Sequence, residues 1–210
     1  MTVVGVALLA SAGGALAADV TPNLYINADA GGIFQQNADF SERGRTETAS
    51  FNPGLRADIA IGYKFSQSFA LELEPGFMWN SVDSFNGYQL RPGESIDLYS
   101  IPILANVIYK FPVQGAWTPC VGVGVGANVG IFDGTLPGMN SNDTDITFAY
   151  QAQAGIKYAL SDTASVGVAY KFLGTADQDY SLPIGPYRRD NVTFGGIYVH
   201  GIFATFTMTF

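Results

Sequence analysis

The chain has 210 residues, which suits one domain with a sizeable interior. Only 13% of the residues are charged while 48% are hydrophobic, so little charge is available to solvate the apolar surface. The net charge of −8, with no cluster of Lys and Arg, argues against a nucleic-acid partner. The sequence contains no run of about twenty apolar residues, so it predicts no membrane-spanning helix. Cys120 is the single cysteine, so it cannot form an internal disulfide or hold a metal cluster alone.

The amino-terminal segment is small and apolar and ends in Ala15-Leu16-Ala17, an A-x-A cleavage pattern. It lacks the basic residues that normally precede the apolar part of a signal peptide, so a short buried helix is the alternative. The strand pattern that follows favours export. We therefore predict a signal peptide over residues 1–17 and a single barrel domain over residues 18–210.

From Leu24 onward, apolar and polar residues alternate. In the first segment Ile26 and Ala28 face one way while Asn27 and Asp29 face the other, which is the two-residue period of a strand. The pattern recurs often enough to predict about eight strands. These segments lie near residues 24–32, 55–65, 69–80, 99–111, 117–129, 150–160, 164–172 and 200–210.

The connections between the predicted strands alternate in length. Antiparallel neighbours joined in sequence form an up-and-down barrel, and closure removes the edges that lipid cannot satisfy. Strands of ten residues or so are long enough to cross a membrane when tilted. The sequence thus predicts an all-β fold, a closed up-and-down antiparallel transmembrane β-barrel. Short turns lie at residues 66–68, 112–115 and 161–162, and long loops at 35–52, 81–95, 132–145 and 174–191.

The apolar face of the strands is predicted to meet lipid, with aromatic residues collected at both ends. The other face carries Gly, Ala, Asn, Gln, Thr and a few charges, and a barrel of this size is filled by its side chains. Buried charge is costly unless it is paired, so we expect Lys64 to meet Glu72, and Arg56 and Asp58 to meet Asp29. The alternative is a narrow ion path. The predicted lumen network comprises Asp29, Arg56, Asp58, Lys64, Glu72, Glu74, Lys110, Lys157 and Lys171.

The last segment alternates without interruption and ends on an aromatic residue, Phe210. Together with the alternating strands, the unequal connections and the two aromatic belts, this ending resembles small eight-stranded bacterial outer-membrane barrels. The similar proteins are the transmembrane domain of outer membrane protein A and the opacity-type adhesins. The resemblance implies a monomer in the outer membrane of a Gram-negative bacterium, with short periplasmic turns and long extracellular loops. It also implies contact with lipid and lipopolysaccharide, and recognition of the Phe210 strand by the barrel-assembly machinery.

Other motifs carry weaker signals. The glycines at 122, 124 and 126 lack the dinucleotide-binding spacing, and the valines between them keep strand alternation. His200 is the single histidine and its strand offers no Ser beside it, so we predict no catalytic residue. The cluster of oxygen-bearing side chains over residues 140–145 could bind a cation weakly, but it lacks the Gly and Glu of a calcium loop, and we predict no metal or cofactor. Tyr187, Arg188 and Arg189 are candidates for loop contacts with phosphate or a host ligand.

The functional prediction is therefore a non-enzymatic barrel with a structural or surface-interaction role carried by its extracellular loops. A narrow, porin-like pore for small solutes is the main alternative, and an envelope enzyme comes third. A soluble barrel of lipocalin type is the competing fold, but it places apolar residues inside and charge outside. The low charge, the two belts and the aromatic ending count against it.

Overall fold

A computed structural model describes residues 23–210 except 43–44, 86–87, 90–94, 137–138 and 184–188, so the predicted signal peptide lies outside the described residues. Among the described residues, no helix is long and apolar enough to cross a membrane. The described chain contains thirteen β-strands. They are β1 (Leu24–Gln35), β2 (Ala38–Glu42), β3 (Arg45–Phe51), β4 (Gly54–Lys64), β5 (Phe69–Phe85), β6 (Tyr88–Gln89), β7 (Ser95–Lys110), β8 (Trp117–Leu136), β9 (Met139–Ala159), β10 (Ala164–Thr175), β11 (Gln178–Pro183), β12 (Arg189–Phe194) and β13 (Tyr198–Thr209).

Eight of these strands, β1, β4, β5, β7, β8, β9, β10 and β13, form a closed antiparallel barrel. Each pairs with the next along this series, and β13 returns to pair with β1 over Tyr25–Thr209 to Gln35–Val199. The closing ladder spans the whole of β1 and removes both sheet edges. The prediction of an all-β, up-and-down barrel of eight strands is confirmed.

The side chains alternate between lipid and lumen as the sequence indicates. In β4, Arg56 and Asp58 are buried, whereas Leu55 and Ile59 are 62% and 54% exposed. Aromatic residues lie at both ends of the outer surface, where their amphipathic rings suit the membrane interfaces. Outward aromatics at the short-turn end include Tyr63, Phe65, Phe69, Phe111, Trp117 and Tyr158, and those at the other end include Phe77, Trp79, Tyr150 and Tyr170.

The lumen is less uniformly polar than the sequence suggested. Phe203 and Leu104 point inward and are 1% and 0% exposed. They belong to an apolar cluster in the half of the barrel away from the short turns, because a lumen this narrow must be packed rather than hydrated. The full cluster comprises Ile33, Met78, Leu104, Ala149, Leu173, Ile197, Val199 and Phe203.

The predicted long loops also contain strands, which is a correction to the sequence analysis. β8 continues to Leu136 and β9 begins at Met139, so the supposed loop over 132–145 is mostly hairpin ladder. β2 pairs with β3, β12 pairs with both β11 and β2, and β3 pairs with the outer part of β5. These strands lie outside the eight-strand barrel, and their sequences lack the apolar alternation by which the other strands were found.

A substitution at Gly76 tests directly how tightly the lumen is packed. A Cβ at this position overlaps the Asp58 carboxylate and approaches the Pro102 ring. We expect Gly76→Ala to lower the free energy of unfolding in detergent by about 2 kcal/mol, because overpacking displaces a buried charged group. Denaturant titration of refolded protein measures the change.

The matched control is Gly32→Ala, since a Cβ at Gly32 meets nothing within 4 Å. Its stability should change by less than about 0.5 kcal/mol. Equal losses in the two variants would contradict the packing described for Gly76.

Candidate functional site

The centre of the lumen is occupied by a charged network around Arg56. The Arg56 Nε donates to Asp58 Oδ1 at 2.8 Å, and its Nη2 donates to Glu74 Oε1 at 3.0 Å. The same Nη2 lies 2.7 Å from the side-chain oxygen of Gln151 on β9. All of these side chains are buried, so the guanidinium is held by acceptors from three strands.

Lys171, on β10, is the second cation of this network and is 1% exposed. Its amine lies 2.7 Å from Asp29 Oδ2, 3.0 Å from Asp58 Oδ2 and 3.0 Å from Glu74 Oε1. Three buried carboxylates therefore meet the two cations Arg56 and Lys171. Asn106 and Gln151 donate to Glu74 at 3.1 Å, which supplies further hydrogen bonds to the carboxylate. Such bonds are needed if a buried ion pair is to offset the desolvation of its charges.

The remaining predicted lumen charges lie nearer the short turns and are arranged differently. Glu72 accepts a hydrogen bond from Tyr25 Oη at 2.7 Å, and the expected pairing of Lys64 with Glu72 does not occur. Lys64 instead donates to Thr209 at 3.1 Å. The register places Lys64 opposite Ala70 and Glu72 opposite Gly62, so the two side chains are offset along the barrel axis.

Tyr25 separates these groups and was not identified from the sequence. Its ring is fully buried, and the Lys110 and Lys64 amines lie 4.6 Å and 5.7 Å from its centroid. Lys157 donates to Asn27 and Thr207 at 2.8 and 2.7 Å. Gly62 leaves the space into which the Tyr25 ring fits. A glycine among the larger residues of β4 is the one sequence signal that could have indicated a bulky side chain opposite it.

The polar lumen holds very little free space. The internal cavity beside Asn27, Asp29 and Glu72 has a volume of about 20 Å³. That is close to the space for a single water molecule. Beyond the Arg56 and Lys171 network, the apolar cluster around Phe203 fills the next section of the barrel, and the Phe203 ring lies 5.7 Å from Arg56 Cζ and 5.3 Å from Lys171 Nζ. The described residues thus leave no solute-sized path through the middle of the barrel.

Above the barrel, β11, β12, β2, β3 and the outer end of β5 form a continuous sheet, named here the outer sheet. Asp39 accepts from the Thr48 hydroxyl at 2.8 Å across the β2–β3 hairpin, and the Asp39 carbonyl accepts from the Gly195 N–H at 2.9 Å. Asp177 accepts from the Gly196 N–H at 3.0 Å. These bonds fix the two hairpins to each other and to the barrel rim.

The outer segments carry a strong excess of negative charge. Residues 36–53, 81–97, 130–147 and 175–197 contain twelve Asp and Glu residues and five Arg residues. The contact candidates Tyr187 and Arg188 lie outside the described residues, and for Arg189 only the backbone, at the start of β12, is described.

His200 lies on the outward face near the outer rim. Its Nδ1 is 2.6 Å from the Tyr170 hydroxyl and its Nε2 is 2.8 Å from the Gln36 side-chain nitrogen. The Phe172 ring centroid is 5.1 Å from the imidazole. These contacts make His200 part of the outer aromatic belt.

Lipid-facing apolar alternation, two aromatic belts, a packed charged lumen and a closed ladder together define a small transmembrane barrel of the outer-membrane class. The family model described as "Outer membrane protein beta-barrel domain" matches residues 3–200. The chain therefore belongs to the outer membrane protein beta-barrel domain family, and it resides in the outer membrane of a Gram-negative bacterium.

Individual relatives agree with this assignment. The chain is 27% identical over 188 residues to outer membrane protein PagN of Salmonella typhimurium, covering 74% of this chain and 76% of the relative. The fold is similar to that of OprG from Pseudomonas aeruginosa, with a TM-score of 0.63, 16% identity, and coverage of 89% and 96% of the two chains. It is also similar to Neisserial surface protein A, with a TM-score of 0.56, 18% identity, and coverage of 89% and 97%.

The central network predicts a large penalty for removing Lys171. In Lys171→Met, the carboxylates of Asp29, Asp58 and Glu74 would share Arg56 alone. We expect the free energy of unfolding to fall by about 4 kcal/mol, because an uncompensated charge stays buried. Denaturant titration of protein refolded in neutral detergent, monitored by gel mobility without heating, measures this loss.

Lys64→Met is the matched control, since Lys64 forms one hydrogen bond and no ion pair with a described side chain. It should cost less than about 1 kcal/mol. Similar values for Lys171→Met and Lys64→Met would show that the central ion pairs do not stabilise the barrel.

Proposed function

We propose that this outer-membrane protein acts at the cell surface, through the outer sheet and the adjoining ends of β8 and β9, and that it is not an enzyme. The observation that carries the proposal is the contrast between the two parts of the molecule. The lumen is packed by ion pairs and by the cluster around Phe203. The outer segments are extended and are joined to one another by their own strand pairing.

The charge of the outer segments suggests the chemistry of the partner. Twelve acidic residues against five basic ones favour a partner with a basic surface and disfavour polyanions such as sulfated polysaccharides. Attraction between exposed charges is screened by salt, so binding of this kind weakens as ionic strength rises.

Further partners follow from the architecture as proposals. The outward belts and apolar band contact lipid and lipopolysaccharide. The strand β13, together with Phe210 that follows it, is the segment that the assembly machinery would recognise. Pairing of every barrel strand on both sides leaves no free edge for a second copy, which supports a monomer.

A narrow pore is the second candidate, because the lumen near the short turns is polar and opens into a cavity of about 180 Å³. Ions would have to displace the Arg56–Glu74 and Lys171–Asp29 pairs to pass the centre. We therefore expect no stable single-channel current from correctly folded protein in a planar bilayer.

A Glu74→Gln variant serves as the comparison in the same bilayer, since it removes one of the two carboxylates that both cations share. A reproducible ion-selective current from the wild-type chain, altered in Glu74→Gln, would replace the surface-interaction proposal with the pore.

Replacing Glu42, Glu47, Asp179 and Asp190 of the outer sheet with Gln or Asn tests the surface role. We expect a non-adherent Gram-negative strain displaying the wild-type chain to attach to polylysine-coated surfaces and to cultured epithelial cells. Attachment should fall at least about tenfold in this variant, because four acidic residues of the outer sheet lose their charge. Counting bound cells at low and high salt gives the measurement.

The control is heat-dependent gel mobility, which should remain that of a folded barrel, since the eight-strand ladder is untouched. Undiminished attachment by a folded variant would overturn the role assigned to the outer sheet.

A further inference from the structure

The short-turn end of the lumen contains a group of cations whose role the fold does not explain. Lys64 ends β4, Lys110 ends β7 and Lys157 lies near the end of β9. All three line one cavity of about 180 Å³ at the periplasmic mouth of the barrel. Three of the four lysines of the chain therefore share one opening.

Among the described side chains, these three amines form no ion pair. The ion pairs found there all involve Arg56 or Lys171. Glu72 lies deeper in the lumen, is 7% exposed and is hydrogen-bonded to Tyr25, and it interacts with Lys110 and Lys157 only through longer-range electrostatic attraction. Asp162 lies on the exposed β9–β10 turn at the rim of the cavity. Like charges in a shared cavity repel one another, so an empty mouth carries an electrostatic cost that a bound anion would relieve.

The fixed groups around the amines suit an oxyanion. Lys157 is held by Asn27 and Thr207, and the Lys110 amine lies over the Tyr25 ring and makes no hydrogen bond to a described group. A cation–π contact leaves the ammonium N–H donors available to a ligand. Hydroxyl groups complete the lining, contributed by Thr118, Ser165, Thr207 and Thr209.

The cavity has room for a small anion. Its volume of about 180 Å³ is enough to hold one phosphate group. We propose that Lys64, Lys110 and Lys157 form an anion site at the periplasmic mouth that binds a phosphate group. This group would come from a periplasmic solute or from a lipid headgroup of the inner leaflet. The site is separate from the outer sheet, and its function does not depend on the proposed surface role.

Full-length protein refolded in a neutral maltoside detergent provides the test. Inorganic phosphate is titrated against chloride at constant ionic strength, and the midpoint of thermal unfolding is followed by gel mobility. A ligand that binds only the folded state raises this midpoint with concentration, which yields a Kd. We expect Lys110→Gln and Lys64→Gln each to weaken phosphate binding about tenfold, as loss of a hydrogen bond between charged groups predicts.

Two variants sharpen the result. Arg45→Gln removes one positive charge at the opposite end of the molecule and should leave the Kd unchanged. Asp162→Asn removes the acidic rim and should tighten phosphate binding about twofold. If one lysine variant fails to refold, the other still decides, because each removes a single amine from the same cavity.

Vesicles distinguish the two sources of phosphate. A solute site gives a phosphate-dependent midpoint in detergent and no further gain from anionic lipid. A headgroup site gives a midpoint that is higher in phosphatidylglycerol-containing vesicles than in pure phosphatidylcholine, and the gain is lost in Lys110→Gln but kept in Arg45→Gln. No response in detergent or vesicles, or the same response in both lysine variants and wild type, overturns the proposal.

Discussion

Every backbone N–H and C=O group inside the hydrocarbon layer needs a partner within the protein, and this requirement shapes the whole molecule. The ladder between β1 and β13 meets it, because it joins the first barrel strand to the last and leaves no edge. Closure of the barrel then gives each strand one face toward lipid and one face toward the lumen. Residues such as Leu55 and Ile59 face lipid, while Arg56 and Asp58 between them face a lumen that must supply its own solvation.

The side chains that fill the lumen differ with depth along the barrel axis. At the centre, charges from β1, β4, β5 and β10 compensate one another, and amides from β7 and β9 complete the hydrogen bonding. Farther out, Phe203 and its neighbours form an apolar cluster, with polar side chains such as Asn80 and Asn128 buried near it. Toward the short turns the lumen opens into a cavity, and its three lysines form no ion pair with a described side chain. Small residues such as Gly76 and Gly62 permit these larger neighbours to share a narrow interior.

Sequence alternation was sufficient to predict the barrel and the side of the wall on which each charge lies, because one face of every strand must be apolar in lipid. It was insufficient for contacts inside the lumen. Lys64 was expected to meet Glu72, but stagger between strands and the Tyr25 ring direct both groups elsewhere. Nor does the alternation indicate that the Phe203 ring packs the lumen, because aromatic residues on these strands are expected mainly on the face toward lipid. The outer strands were interpreted as loops, since their sequences do not alternate regularly between apolar and polar residues.

The central network also bears on how the barrel assembles. Lys171 lies on β10, on one side of the β1–β13 seam, and its partner Asp29 lies on β1, on the other side. These groups meet only when the seam is closed in the correct register. A slip of one residue would turn the inward charges of a strand toward lipid. The buried ion pairs would therefore stabilise only the closed barrel in its native register, and open or misaligned intermediates at the membrane would lack this stabilisation.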